Sequence, residues 1–231
     1  MNSVVIFAGG VGSRMGASLP KQFLELKGKP ILAHTIDKFN NSKEIDSIVI
    51  VTLENYIEHV KKIVDCYGYK KVIGIIKGGE TAFSSQFNGV SFLVKHSKSD
   101  DDIVLIHDGV RPFVTDELIS KCIKGVKEKG SAITVSPAFE TIALINDDKK
   151  IHQTVPRQNC LIARAPQAFR LKDLYFAHLE AKKDRVEFID SASMMLVQGK
   201  TLNPITGPDK NIKITTQYDY LIANLLLEDE K

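Results

Sequence analysis

Short apolar segments and helix-length segments alternate along residues 1–135, and no other feature of the chain constrains its fold as much. Residues 4–8 form an apolar run ending in glycines, the pattern of a buried strand. Residues 30–39 follow as a helix, with Leu32, Ile36 and Phe39 at helical spacing. Residues 48–52 are apolar and β-branched, and residues 54–66 carry Ile57, Val60 and Val64 in a helical pattern. A third strand over 71–76 ends at Gly78-Gly79, a third helix covers 83–95, and a fourth strand over 103–106 runs into His107-Asp108-Gly109. Residues 116–129 read as a helix with Thr115 as its N-cap and Gly130 as its stop. Strand–helix–strand units in series pair in parallel through right-handed crossovers. The expected fold class is therefore α/β, a Rossmann-like, doubly wound, mostly parallel sheet.

Residues 133–161 break the alternation. Three β-like pieces, 133–135, 141–145 and 151–155, are separated by Pro137, Asn146-Asp147-Asp148 and Pro156. Asn-Asp-Asp between apolar pieces signals a hairpin. The expectation is a single domain over 1–231 with an inserted β-arm at about 137–160. Helices return at 171–182, 191–199 and 217–228, and a last strand is expected over 211–215.

Composition narrows the function classes. Hydrophobic residues make up 43% and charged residues 26% of 231, enough apolar content to form a core. With 31 basic and 28 acidic residues, the charge is too balanced to suggest a nucleic-acid or membrane-surface partner. No apolar run approaches a bilayer span, and no basic residue precedes the first apolar run, so neither a membrane helix nor a signal peptide is expected. Cys66, Cys122 and Cys160 are odd in number and far apart, which suits a reduced, cytoplasmic protein rather than a disulfide framework.

The segment Ala8-Gly9-Gly10-Val11-Gly12-Ser13-Arg14-Met15-Gly16 follows the first strand directly. Ligands of open α/β sheets bind beyond the carboxyl ends of strands, and glycines there let backbone N–H groups approach phosphate oxygens. Arg14 and Lys21 add two cations, which suits a triphosphate whose charge grows toward a transition state. A P-loop is set aside, because this segment has no Gly-Lys-Ser/Thr. Gly10-x-Gly12-x-x-x-Gly16 misses the dinucleotide fingerprint by one residue. On these residues alone, a nucleotidyltransferase, a nicotinamide-dependent reductase and a catalytically silent nucleotide-binding module all stay open.

Further motifs follow in order: Gly78-Gly79 with Ser85, His107-Asp108-Gly109-Val110-Arg111-Pro112-Phe113, Pro166-Gln167-Ala168-Phe169, Asp190-Ser191-Ala192-Ser193 and Asn211-Ile212-Lys213-Ile214-Thr215. Together with the opening glycine segment and Pro20-Lys21-Gln22-Phe23, the series resembles the cytidylyltransferases of the 2-C-methyl-D-erythritol 4-phosphate and ribitol 5-phosphate family. The resemblance covers nearly the whole chain. It implies a nucleotide-diphospho-sugar transferase-like fold and CMP transfer from CTP to a small alditol phosphate, with release of pyrophosphate. It assigns Arg14, Lys21 and Lys213 to catalysis and Ala8, Gly9, Gly10, Gly12, Gly78, Gly79, Ser85 and Asp108 to the nucleotide. Arg111, Thr141, Arg157 and Asp190 are assigned to the acceptor, and Asp108 also to Mg²⁺. It further implies a homodimer in which the β-arm carries Thr141 and Arg157 toward the partner's site. This chain departs from the pattern in having Ala82 in place of Arg, and Ala165 and Ile189 in place of Thr.

Overall fold

The computed structural model describes residues 1–10 and 19–228, so Gly12 and Arg14 lie outside the described residues. The first half contains β1 (Asn2–Ala8), a small ribbon of β2 (Glu25–Leu26) and β3 (Lys29–Pro30), and then α1 (Ile31–Asn41), β4 (Ser47–Thr52), α2 (Ile57–Tyr67), β5 (Val72–Lys77), α3 (Ala82–His96), β6 (Ile103–Asp108) and α4 (Asp116–Lys129). The second half contains β7 (Ser131–Pro137), β8 (Ile142–Ile145), β9 (Ile151–Val155), β10 (Leu161–Arg170), α5 (Leu171–Lys183), α6 (Ser191–Val197), β11 (Pro204–Thr206) and α7 (Gln217–Leu226). The expected α4 is met at both ends: the Thr115 side chain accepts from Leu118 N–H, and Gly130 closes the helix in the left-handed region at φ 82°.

The seven-stranded sheet runs β11-β7-β10-β6-β1-β4-β5. The pairs β5·β4, β4·β1, β1·β6 and β7·β11 are parallel, and β10 lies antiparallel between β6 and β7. The sheet is thus the mostly parallel, doubly wound α/β sheet that the alternation dictates. Side chains of β1 alternate between its faces. Val4 and Ile6 pack with Leu32 and Ile36 of α1 and Ile119 of α4. Val5 packs with Val90 and Leu93 of α3 and Leu174 of α5. The chain leaves β1 toward β4 and β5 on one side and later adds β6 on the other. That reversal opens a crevice at the carboxyl ends of β1 and β6.

The structure departs from the sequence reading at two places. Residues 211–215 form no strand; the strand that follows α6 is β11, earlier in the chain at Pro204–Thr206, and it pairs with β7. Ile212 and Ile214 alternate as in a strand, but the backbone bonds elsewhere: Ile214 N–H donates to Val110 O at 2.9 Å and Asn211 N–H to Pro208 O at 3.0 Å. Ile214 is instead buried with Leu26, Val110 and Phe113 beneath the crevice. The second is strand β10, which the sequence pattern did not disclose, because Pro166 lies within it and proline offers no ladder N–H. The strand absorbs the proline through a register shift against β7 between Ala163 and Gln167. Between β7 and β10, the strands β8 and β9 pair as a hairpin outside the main sheet, and Phe139, Ile145 and Ile151 are more than half exposed there. Among the described residues, no helix is long and apolar enough to cross a membrane.

Candidate active site

The crevice holds two adjoining cavities. The larger, about 450 Å³, lies over the carboxyl ends of β1, β4, β5 and β6, and the smaller, about 180 Å³, lies on the β10 side. Asp108 and Lys213 border both. Of the residues singled out from sequence, Gly9, Gly10, Lys21, Gly78, Gly79 and Ser85 join them in the larger cavity, and Arg111 and Asp190 in the smaller. Thr141 and Arg157 border neither: both lie in the exposed arm, where Arg157 Nη1 donates to Phe139 O at 3.1 Å.

The larger cavity is shaped by backbone. The Ala8 carbonyl at the end of β1 accepts from Gln22 Nε2 at 2.6 Å and from Thr52 Oγ1 at 3.1 Å. Buried Gln22 thereby anchors the 3-10 turn Lys21–Phe23 and brings Lys21 alongside Gly10. On the opposite wall, Gly78 N–H donates to Thr52 O at 2.7 Å and Gly79 N–H to Ser85 Oγ at 3.0 Å. The Ser85 hydroxyl thus shapes the glycine turn. Thr81 and Ser84 form a reciprocal cap on α3, whose N-terminus contributes a positive end dipole to this wall. Ala82 lines the same wall.

The smaller cavity is shaped by side chains around the 107–111 turn. Gly109 N–H donates to Phe7 O at 2.8 Å. A Cβ at Gly109 would lie 2.7 Å from that same oxygen, so only glycine fits. His107 Nε2 donates to the Arg111 carbonyl at 3.0 Å, because a carbonyl can only accept. Burial pushes the His107 pKa down to about 4, so the ring is neutral at physiological pH. Its Nδ1 is buried without a partner.

Asp108 is the hub. Lys213 Nζ lies 2.7 Å from its Oδ1 and Arg111 Nε 3.3 Å from its Oδ2. Burial alone would raise its pKa, but the charges of Lys213 and Arg111 outweigh burial and hold the carboxyl below its usual range. Arg111 Nη1 also donates to Asn211 O at 2.8 Å, and Asn211 Nδ2 to Ala165 O at 2.8 Å. These bonds tie the end of β6 to the loop bearing Lys213 and to β10. Asp190 caps α6 through Ser193 N–H at 2.8 Å and accepts from Gln167 Nε2 at 3.0 Å. Buried Gln86 completes this wall by accepting from Ser191 Oγ at 2.9 Å. Ile189, 90% exposed, stands at the mouth of both cavities.

Sequence reasoning gave no role to Gln22, Gln86, Gln167 or Asn211, and considered Arg164 only as a compensation for Ala165. Gln22, Gln167 and Asn211 stand inside quoted motifs, which was their one signal. Gln86 carried none. Among the described residues no group of three His, Cys, Asp or Glu side chains is placed to hold a metal. Magnesium, however, commonly takes one or two carboxylates and completes its shell with substrate phosphates and water. Asp108, bordering both cavities, fits that donor set.

A glycine-walled crevice at the switch point of a doubly wound sheet, with a lysine and a carboxylate between two compartments, defines a nucleotidyltransferase. The chain belongs to the IspD family, 2-C-methyl-D-erythritol 4-phosphate cytidylyltransferase, whose family model matches residues 2–229. It is 43% identical over 230 residues to a ribitol-5-phosphate cytidylyltransferase of Streptococcus agalactiae, covering 99% of this chain and 96% of that one. It is 37% identical over 227 residues to a 2-C-methyl-D-erythritol 4-phosphate cytidylyltransferase of Clostridium botulinum, covering 98% and 97%. Its fold matches the crystal structure of 4-diphosphocytidyl-2C-methyl-D-erythritol synthase from Anaerococcus prevotii with a TM-score of 0.83 at 29% identity, over 98% of both chains.

Proposed function

We propose that this enzyme transfers CMP from CTP to the phosphate of D-ribitol 5-phosphate, forming CDP-ribitol and pyrophosphate. The observation that carries the reading is the pair of cavities joined at Asp108 and Lys213. The larger takes the nucleotide and the smaller the acceptor. An acceptor phosphate oxygen forms a bond to the α-phosphorus of CTP, the bond between the α- and β-phosphates breaks, and pyrophosphate leaves with the electron pair. A phosphomonoester is already largely ionised at neutral pH, so the nucleophile needs no base. The neutral, backbone-bonded His107 agrees with that. Catalysis then rests on positioning and charge neutralisation.

Lys213 neutralises the α-phosphate as its charge grows, and Asp108 holds that lysine in place at 2.7 Å. Lys21, and Arg14 in the same glycine-rich segment of sequence, take the rest of the triphosphate. Gly9, Gly10, Gly12, Gly78 and Gly79 bring backbone close to the nucleotide. Asp108 is the residue that would hold Mg²⁺, which supplies further neutralisation of phosphate charge when bound. Arg111 and Asp190 face the acceptor. Thr141 and Arg157 act on the partner's site in a homodimer joined through the arm. The exposed Phe139, Ile145 and Ile151 support burial of that arm against a second copy. Three free cysteines support a cytoplasmic location.

The higher identity to the ribitol enzyme favours ribitol 5-phosphate. The match to the methylerythritol family model gives 2-C-methyl-D-erythritol 4-phosphate as the second reading. Pyrophosphate release with CTP, Mg²⁺ and each acceptor separates them. A kcat/KM at least tenfold higher with ribitol 5-phosphate is expected. The reverse preference would establish the second reading, and silence with both would refute the proposed activity.

A further inference from the structure

Three cations border the smaller cavity, and two of them, Arg111 and Lys213, are tied to Asp108. The third is Arg164, on β10 at the root of the arm and next to the register shift. Its side chain is half-buried, and Nη1 donates to the Asp209 carbonyl at 3.0 Å. Among the described residues this is its one hydrogen bond, and no carboxylate pairs with it. A guanidinium carries five N–H donors, so most of Arg164's remain for a ligand.

The cavity's other charges are engaged. Both Asp190 oxygens accept from protein donors, and both Asp108 oxygens face cations. Arg111 is only 7% exposed, with Nε on Asp108 and Nη1 on Asn211. Ala165, beside Arg164, offers no side-chain donor. Three cations against two carboxylates leave the cavity net positive, and the cation among them with no carboxylate partner among the described residues is Arg164. A guanidinium fork matches two oxygens of one phosphate.

We infer that Arg164 grips the phosphate of the acceptor and makes this cavity selective for a doubly charged phosphomonoester. The inference rests on the reading of the smaller cavity as the acceptor site. Its bond to Asp209 fixes one edge of the guanidinium and turns the rest toward the cavity. Arg164 thereby holds the nucleophilic phosphate while Lys213 attends to the electrophilic one.

The test is steady-state kinetics of wild type, Arg164→Gln and Arg164→Lys with CTP and ribitol 5-phosphate. Glutamine keeps a donor for the Asp209 carbonyl and removes the charge; lysine keeps the charge and loses the fork. The acceptor KM should rise about 10- to 100-fold in Arg164→Gln, the range of a lost charge-assisted hydrogen bond. It should rise less in Arg164→Lys, with the CTP KM within twofold of wild type in both. A wild-type acceptor KM in Arg164→Gln would mean that Arg164 serves only as a tether to Asp209, and would overturn the inference. So would equal rises in both KM values. A wild-type enzyme inert with every alditol phosphate would instead refute the proposed activity, and this assignment with it.

Discussion

The two cavities are built from different materials. The larger is walled by the turns at Gly9-Gly10 and Gly78-Gly79, held by bonds to the Ala8 and Thr52 carbonyls. The smaller is walled by charged side chains and buried amides, held by Asp108, Asn211 and Gln167. A backbone wall tolerates side-chain change but not an added Cβ. A side-chain wall can be re-specified by one substitution without moving the fold. This explains how relatives sharing one architecture carry the names of two acceptors. It also places Arg164 and Ala165 on the wall where selectivity changes with least disturbance to the sheet.

The sharpest break would come from Lys213, which serves both sides. Lys213→Ala should lower kcat about 10²- to 10³-fold, as for loss of a donor to a developing oxyanion. Pyrophosphate release at saturating substrates checks this, and a kcat within threefold of wild type would remove Lys213 from the transition state. Gly109→Ala comes next. Its Cβ would press on the Phe7 carbonyl at 2.7 Å and on Leu32 Cδ1 at 3.1 Å. The neighbour is backbone, so the turn bearing Asp108 must shift, at about 1–3 kcal/mol of stability. A melting curve and the acceptor KM should both register it.

Gly79→Ala isolates the nucleotide wall. Its Cβ would collide with the Ser84 hydroxyl and lie 3.0 Å from the Ser84 backbone, disturbing the cap of α3. The CTP KM should rise about fivefold, in line with a cap loss of about 1 kcal/mol, with the acceptor KM within twofold. Equal changes in both would dissolve the distinction between the walls.

His178 gives the smallest effect and marks where the comparison stops. It lies behind the site between α3 and α5, against Phe83 and Phe87, with neither ring nitrogen partnered. Burial, aided by the Lys182 charge, lowers its pKa from 6.5 to about 4. The folded state therefore binds this proton more weakly than the unfolded state. Its contribution to stability is full above pH 6.5 and is lost as pH falls toward 4. His178→Leu should leave activity unchanged, keep or raise stability by about 1 kcal/mol or less, and lose less Tm than wild type between pH 7.5 and 5. An equal acid loss in both would place the titration elsewhere, His107 being the next buried ring.

These two walls also differed in how far the sequence exposed them. Glycines at strand ends are a local signal, and residues 9, 10, 78 and 79 were readable because each follows its strand directly. Lys213 was found by its motif, but the strand expected to carry it does not form. The alternation of Ile212 and Ile214 is real, yet only the fold shows that their backbone turns to Val110 and the 208–210 loop. Strand β10 was hidden by Pro166. Gln22, Gln86, Gln167 and Asn211 have no periodic pattern, and the partners of Asn211 and Gln86 lie 46 and 105 residues away. Such contacts exist only after the sheet has brought those segments together.

The central claim is that the acceptor phosphate in the smaller cavity attacks the α-phosphorus in the larger directly, across Asp108 and Lys213. Its most direct test is the stereochemical course of transfer from a single diastereomer of α-thio-CTP, read by ³¹P NMR of the CDP-alditol thiophosphate. One in-line displacement predicts inversion at the α-phosphorus. Retention would require two displacements through a covalent enzyme intermediate and would contradict the account.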